Sequence, residues 1–136
     1  MTGKTVSNKK LNFKDLEDCR KRLSDSIDVT RSQALDALKN NKILSRQFQD
    51  AQDKWEKLQI RESELSVKIM SLQLDFLLDT NVNNPMSKIV GATDKLNAAA
   101  RNIQNFQQFL DSIADVINIF DSLIKAIPNG LIANIP

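Results

Sequence analysis

The long stretch between Lys4 and Asn84 contains neither glycine nor proline, and this absence constrains the fold more than any other feature. Glycine and proline are the residues that most often interrupt helices and form tight turns. The three glycines and three prolines of the chain all lie outside that stretch. The sequence therefore favours helices over a fold built from strands and turns.

Apolar side chains repeat every seven residues in two rows, a pattern typical of a coiled coil or a helical bundle. One row runs from Leu16 to Leu72, and the other, four residues on, ends at Phe76. The four polar positions in these rows are Arg20, Thr30, Asn41 and Glu62. Polar residues at such positions usually fix the register of helices, so Asn41 and Glu62 are predicted to set the register here.

The first helix has a clear start signal at Asn12. Its side chain suits an N-cap, and Asp15, three residues later, completes a capping box. The heptad then continues without a skip, so one helix is predicted over about 12–79.

A second helix is predicted over 85–127. Asn84 followed by Pro85 suits an N-cap and a first-turn proline, and Pro128 marks the end. The apolar arc of its C-terminal half covers roughly half of the helix circumference. Because one partner helix covers a narrower arc, we expect at least two neighbouring helices.

Two all-α arrangements supply these neighbours. In the favoured one, an antiparallel hairpin of the two long helices, about 12–79 and 85–127, associates with further copies into an oligomeric bundle or coiled coil. In the alternative, a turn near 39–42 divides the first helix, and the chain closes into a three-helix bundle. The heptad passes through Asn41 in register, without glycine or proline, which favours the long helix.

The termini differ in character from the helical domain, residues 12–127. Residues 1–11 are predicted to be a disordered basic head, and residues 128–136 an apolar tail. Residues 1–22 carry seven basic and three acidic side chains, a net +4. Non-specific nucleic-acid binding through this charge is a third possible function, which we do not expect because short basic runs are more often solvated. The basic residues concerned are Lys4, Lys9, Lys10, Lys14, Arg20, Lys21 and Arg22.

Composition argues against an enzyme. Without histidine, the chain lacks a Ser-His or Cys-His dyad and every histidine metal ligand. Asp111 and Asp115, one turn apart, are interpreted as part of a solvated face, not as a cation site. Cys19 is interpreted as a partly buried spectator. No cofactor, metal or catalytic residue is therefore predicted.

The single cysteine fits a reducing compartment, and the sequence shows neither a secretory signal nor a long apolar run. Cytoplasmic residence is the default expectation. Export without a signal would leave no mark that the sequence reveals.

The function predicted from these patterns is that of a non-enzymatic scaffold that self-associates and binds partner proteins through its helix faces. Nine residues are predicted to form an association seam: Leu58, Leu65, Ile69, Leu72, Phe76, Phe106, Ile113, Ile117 and Phe120. The alternative is a membrane-active protein, because long hairpins with an apolar terminal helix resemble α-helical pore-forming cytolysins in architecture. The acidic side chains of Asp111, Asp115 and Asp121 disfavour this alternative.

Overall fold

A computed structural model describes residues 9–80 and 82–128, which form four helices and a two-stranded ribbon. The helices are α1 (Phe13–Lys39), α2 (Ser45–Met70), α3 (Pro85–Arg101) and α4 (Phe106–Ala126). In the ribbon, β1 (Lys10–Asn12) pairs antiparallel with β2 (Leu77–Asp79). The predicted, mainly helical class is confirmed, and the ribbon is an unpredicted addition.

The helices pack around one core in the order α1, α2, α4, α3. α1 contacts α2 and α3, and α4 contacts the same two helices. Helices adjacent in sequence form antiparallel hairpins, α1 with α2 and α3 with α4. The ion pair between Arg22 and Asp94 links α1 to α3, and that between Arg61 and Asp121 links α2 to α4. The apolar face of α4 thus has two neighbours, as the width of its apolar arc predicts, and both belong to the same chain.

The capping box at the start of α1 is confirmed. The Asp15 backbone N–H donates to Asn12 Oδ1 at 2.8 Å, and the Asn12 N–H donates to Asp15 Oδ2 at 3.0 Å. Two otherwise unpaired backbone donors are satisfied in this way, which fixes where the helix begins.

The first long helix predicted from the heptad is divided by a turn at residues 40–44. Asn41 adopts a left-handed conformation with φ 59°. The Lys42 N–H donates to the Ala37 carbonyl at 2.8 Å, and the Asn41 N–H donates to the Leu38 carbonyl at 3.1 Å. This is a Schellman motif, in which asparagine occupies the place that glycine usually takes. The prediction of one helix through Asn41 is therefore wrong, and Asn41 ends a helix instead of setting a register.

The second long helix is also divided. α3 ends at Arg101, and Asn105 caps α4 by accepting a hydrogen bond from the Gln108 N–H at 3.0 Å. This break adds a fourth helix, so the three-helix alternative is right about the first turn and wrong about the number of helices. Asparagine side chains are good N-caps because they bond the free N–H groups of a first turn.

The connection between α2 and α3 carries the ribbon. α2 ends at Met70, nine residues before the predicted end at 79, and Leu77–Asp79 pairs with Lys10–Asn12 instead of continuing the helix. Leu11 and Leu78, opposite one another in the ribbon, are both buried. β1 therefore occupies the last part of the head that was predicted to be disordered. The rest of that head, residues 1–8, and residues 129–136 of the tail lie outside the described residues.

The core contains two hydroxyl groups without a hydrogen-bond partner. Ser26 and Thr30, one turn apart on α1, are completely buried, and their side-chain oxygens bond to nothing in the described structure. A buried polar group left unpaired costs about 1–3 kcal/mol. Thr93 on α3 is equally buried but donates to the Ile89 carbonyl at 2.9 Å.

We expect Thr30→Val to raise the free energy of unfolding by about 1 kcal/mol, because it replaces an unpaired hydroxyl by a methyl group of similar size. Thr93→Val makes the same chemical change where the hydroxyl is hydrogen-bonded, and we expect it to lower that free energy by a similar amount. Urea denaturation of both variants measures the two effects. Shifts of the same sign would contradict this explanation.

Candidate interaction surface

The predicted association seam lies inside the bundle. Five of its residues are buried: Leu58, Leu65, Ile69, Ile113 and Phe120. The other four are partly buried and pack against the core: Leu72, Phe76, Phe106 and Ile117. Because these side chains already cover one another within a single chain, they are not the surface that a second molecule would contact. The seven-residue repeats correctly indicate that these side chains contact other helices, but those helices belong to the same chain.

Glu62, the second predicted register residue, pairs with Arg20. Arg20 Nη1 lies 3.1 Å from Glu62 Oε2, and both side chains are about one-third exposed or less. Two of the four polar positions in the heptad rows therefore meet each other between α1 and α2. A partly exposed pair of this kind contributes about 1 kcal/mol or less to stability, but it favours one alignment of the two helices.

Large apolar side chains are exposed along the outer side of α2 and just beyond its end. Ile60 is 53% exposed, Val67 67%, Met70 84% and Leu74 83%. Spacings of seven and three residues place the three helical members, Ile60, Val67 and Met70, on one face. We call these four residues the α2 stripe. Ile60 and Val67 belong to neither heptad row, and their own seven-residue spacing was the only sequence signal for this surface.

A groove adjoins the stripe. Its volume is about 530 Å³, and Val67 on α2 and Ile124 on α4 line it together with Ser63, Glu64 and Lys68. The Lys68 ammonium donates to the carbonyls of Ile124 and Ile127, at 2.7 and 2.8 Å. These are carbonyls at the C-terminal end of α4, where a cation is also favoured by the helix dipole. Lys68 thereby holds the end of α4 against α2 and fixes the position of the two helices that form the groove.

Charge is unevenly distributed along the outer side of α2. Its N-terminal half exposes charged side chains of both signs: Arg46, Asp50, Asp53, Glu56 and Lys57. The C-terminal half carries the α2 stripe. The outer side of this helix thus changes from charged to largely apolar along its length, so its two ends offer different surfaces to a partner.

The basic residues near the start of the chain are partly neutralised by ion pairs. Lys14 Nζ lies 3.2 Å from Asp18 Oδ2, and Arg22 Nη1 lies 3.2 Å from Asp94 Oδ1. Arg20 bonds to Glu62, as described above. Lys4 lies outside the described residues. These pairs reduce the local excess of positive charge that a nucleic acid would need.

Cys19 is completely buried on α1, with its Sγ 3.5 Å from the Sδ of Met86. Burial, with the nearby carboxylates of Asp15 and Asp18, raises the pKa of the Cys19 thiol to about 12. The thiolate is the reactive form of cysteine. Cys19 is therefore a core residue, more fully buried than predicted.

We expect iodoacetamide at pH 8 to modify Cys19 in the folded chain at least about a thousandfold more slowly than in the urea-unfolded chain, because a pKa higher by about three units leaves that much less thiolate. Mass spectrometry of the time course measures both rates. Met86→Ala, which opens space beside the sulfur, should increase the folded-state rate. A folded-state rate equal to the unfolded one would contradict the burial of Cys19.

Asp111 and Asp115 lie on the exposed side of α4, where the Asp111 carboxylate accepts a hydrogen bond from Gln107 Nε2 at 2.9 Å. Among residues 9–80 and 82–128, no group of three or more histidine, cysteine or acidic side chains is placed to hold a metal ion. Within the same residues, every helix is too short or too polar to cross a bilayer. The separate helices also differ from the long hairpin on which the resemblance to cytolysins depends.

Comparisons of the chain with protein-family models, curated proteins and solved structures find no match. The α2 stripe, the adjoining groove and the charges beside them are therefore the features from which a function can be inferred.

Proposed function

We propose that this chain is a non-enzymatic helical interaction protein that associates with a second copy of itself through the α2 stripe and the adjoining groove. The exposure of Val67, Met70 and Leu74, each by two-thirds or more, is the observation that carries the proposal. Contiguous exposed apolar side chains on an otherwise well-buried domain are typical of binding surfaces.

The energetics favour a weak, reversible contact. Burying an exposed aliphatic side chain contributes about 1.5–3 kcal/mol, and a symmetric contact would bury the four side chains of the α2 stripe on each copy. Association costs roughly 4–15 kcal/mol in lost motion and ordering. For eight side chains the gain is at most about 12–24 kcal/mol, which exceeds the cost of association by only several kcal/mol. We therefore expect a dimer that dissociates on dilution.

The distribution of charge favours an antiparallel arrangement of the two α2 helices. In a two-fold dimer the same surface of each copy meets the other, so the apolar halves can overlap while the charged halves point in opposite directions. A parallel arrangement would instead place each charged side chain of that half, cation or anion, beside its own copy, which is unfavourable for like charges. An antiparallel α2 pair is therefore the proposed contact.

Light scattering after size-exclusion chromatography tests the proposal. We expect the mass of the wild-type chain to rise towards that of a dimer as its concentration rises through the micromolar range. Met70→Glu combined with Leu74→Glu should leave a folded monomer at every concentration. Leu44→Glu is the matched control, because Leu44 is 60% exposed and lies at the other end of α2, about 39 Å away. A wild-type monomer at all concentrations would refute self-association.

Attachment to a membrane surface is a second candidate function. The exposed side chains of Met70, Leu74, Leu77 and Val82 all lie at the end of α2 or in the connection that follows it, so they gather at one end of the bundle. An apolar end of this kind could enter the headgroup region without a spanning helix. Flotation with anionic liposomes distinguishes this candidate. If the wild type floats with the liposomes and Met70→Glu does not, membrane binding is supported. If the wild type does not float, the proposal of self-association stands alone.

A further inference from the structure

A crevice of about 420 Å³ lies between the first turns of α3 and the last turns of α4, closed at one side by the connection that precedes α3. Its wall is mainly apolar and is formed by Val82, Pro85, Ile89, Ile119, Leu123 and Ala126. Small-molecule sites usually have volumes of roughly 300–1,000 Å³, mostly apolar walls and a few polar groups. The crevice has these properties, and it does not involve the α2 stripe.

Lys88 is the only charged residue among the described residues that line the crevice. Its side chain is exposed, and it forms no ion pair with the residues that the structure describes. The remaining polar lining residues are the neutral Thr80, Asn118 and Ser122. An apolar space with one cation beside it complements a molecule that has an apolar chain and an anionic head.

We propose that this crevice binds one small amphiphile with an anionic head, a medium-chain fatty carboxylate. The hydrocarbon chain lies against Ile89, Ile119 and Leu123, where its removal from water drives binding. The carboxylate lies beside Lys88 and accepts a charge-assisted hydrogen bond from the ammonium group. The small volume suits such a ligand better than a second protein, since stable protein interfaces bury far larger, flatter surfaces.

Titration calorimetry on the full chain with decanoate, kept below the concentration at which it forms micelles, tests the proposal. We expect saturable binding of one decanoate per chain. Decanol, which has the same hydrocarbon chain without the charge, should bind at least about tenfold more weakly than decanoate. Decyltrimethylammonium, which reverses the charge, should not bind measurably.

Two variants separate the head site from the apolar site. Lys88→Gln should weaken decanoate binding about tenfold and leave decanol binding unchanged. Ser122→Trp, at an exposed position on the crevice wall, should abolish the binding of both ligands by filling the space. Lys95→Gln is the matched control, because this exposed lysine lies on the same helix but outside the crevice. This variant should bind decanoate with the affinity of the wild type. Circular dichroism checks that each variant is folded.

Three results would overturn the proposal: no saturable decanoate binding, equal affinities for decanoate and decanol, or an unchanged affinity in Lys88→Gln. Dimerisation affects none of these comparisons, since Met70→Glu with Leu74→Glu should bind decanoate with wild-type affinity. The crevice and the proposed self-association can thus fail independently.

Discussion

Replacing Phe120 by alanine is expected to lower the free energy of unfolding by about 3–5 kcal/mol. Phe120 is completely buried on α4, within the core that the four helices share. Small domains have a total stability of about 5–15 kcal/mol, so this variant should be close to unfolding. Urea denaturation followed by the fluorescence of Trp55, the single tryptophan and itself buried, measures the change.

The matched control is Leu74→Ala, which removes an apolar side chain that is 83% exposed. At concentrations where the chain is monomeric, we expect it to change stability by no more than about 0.5 kcal/mol. In the same monomeric range, the unfolding midpoint of Phe120→Ala should also be independent of protein concentration, because the neighbours of Phe120 come from the same chain. A loss below about 1 kcal/mol would contradict the burial of Phe120. A strong concentration dependence in that range would indicate that another molecule covers α4.

Replacing Lys68 by methionine is expected to lower the free energy of unfolding by about 2–4 kcal/mol. The change removes both hydrogen bonds from the ammonium group to the Ile124 and Ile127 carbonyls. Hydrogen bonds that involve a charged group contribute about 1.5–3 kcal/mol each, and part of this is recovered because water can reach the end of the helix. Urea denaturation measures the loss.

Hydrogen exchange shows where the effect of Lys68→Met is located. The amides in the last turn of α4 should exchange much faster. The exchange rates of the α1 amides should change only as far as the loss of global stability requires. Lys57→Met, at an exposed position on the same helix, is the control and should leave both quantities nearly unchanged. Equal effects of the two substitutions would show that the hydrogen bonds from Lys68 to the end of α4 contribute nothing to stability.

The sequence predicted where the helices start better than where they stop. Asn12 and Asp15 carry a complete capping box, so the start of α1 could be placed to the residue. The turn at Asn41 was only the alternative prediction, because an asparagine within an unbroken heptad is a weak sign of the left-handed conformation that it adopts here. Glycine would have been a stronger sign, although asparagine is the residue that most often replaces it.

The candidate site was harder to predict for a different reason. A heptad identifies which side chains face another helix, but it does not say whether that helix belongs to the same chain. Leu58, Leu65 and Phe120 are contact residues in both cases, and only the turns at 40–44 and 102–105 bring their partners within reach inside one chain. Once those contacts are internal, the exposed residues become the informative ones, and Val67 and Met70 lie outside both rows.

The chemical shifts of methionine methyl groups test the central claim most directly. Met70 is 84% exposed on the α2 stripe, whereas Met86 is half-buried beside Cys19 and serves as the internal reference. With ¹³C-methyl methionine, raising the protein concentration from micromolar to millimolar should shift the Met70 resonance and protect it from a soluble nitroxide, with Met86 unchanged. A Met70 resonance that stays constant and fully accessible to the nitroxide at every concentration would contradict self-association through the α2 stripe.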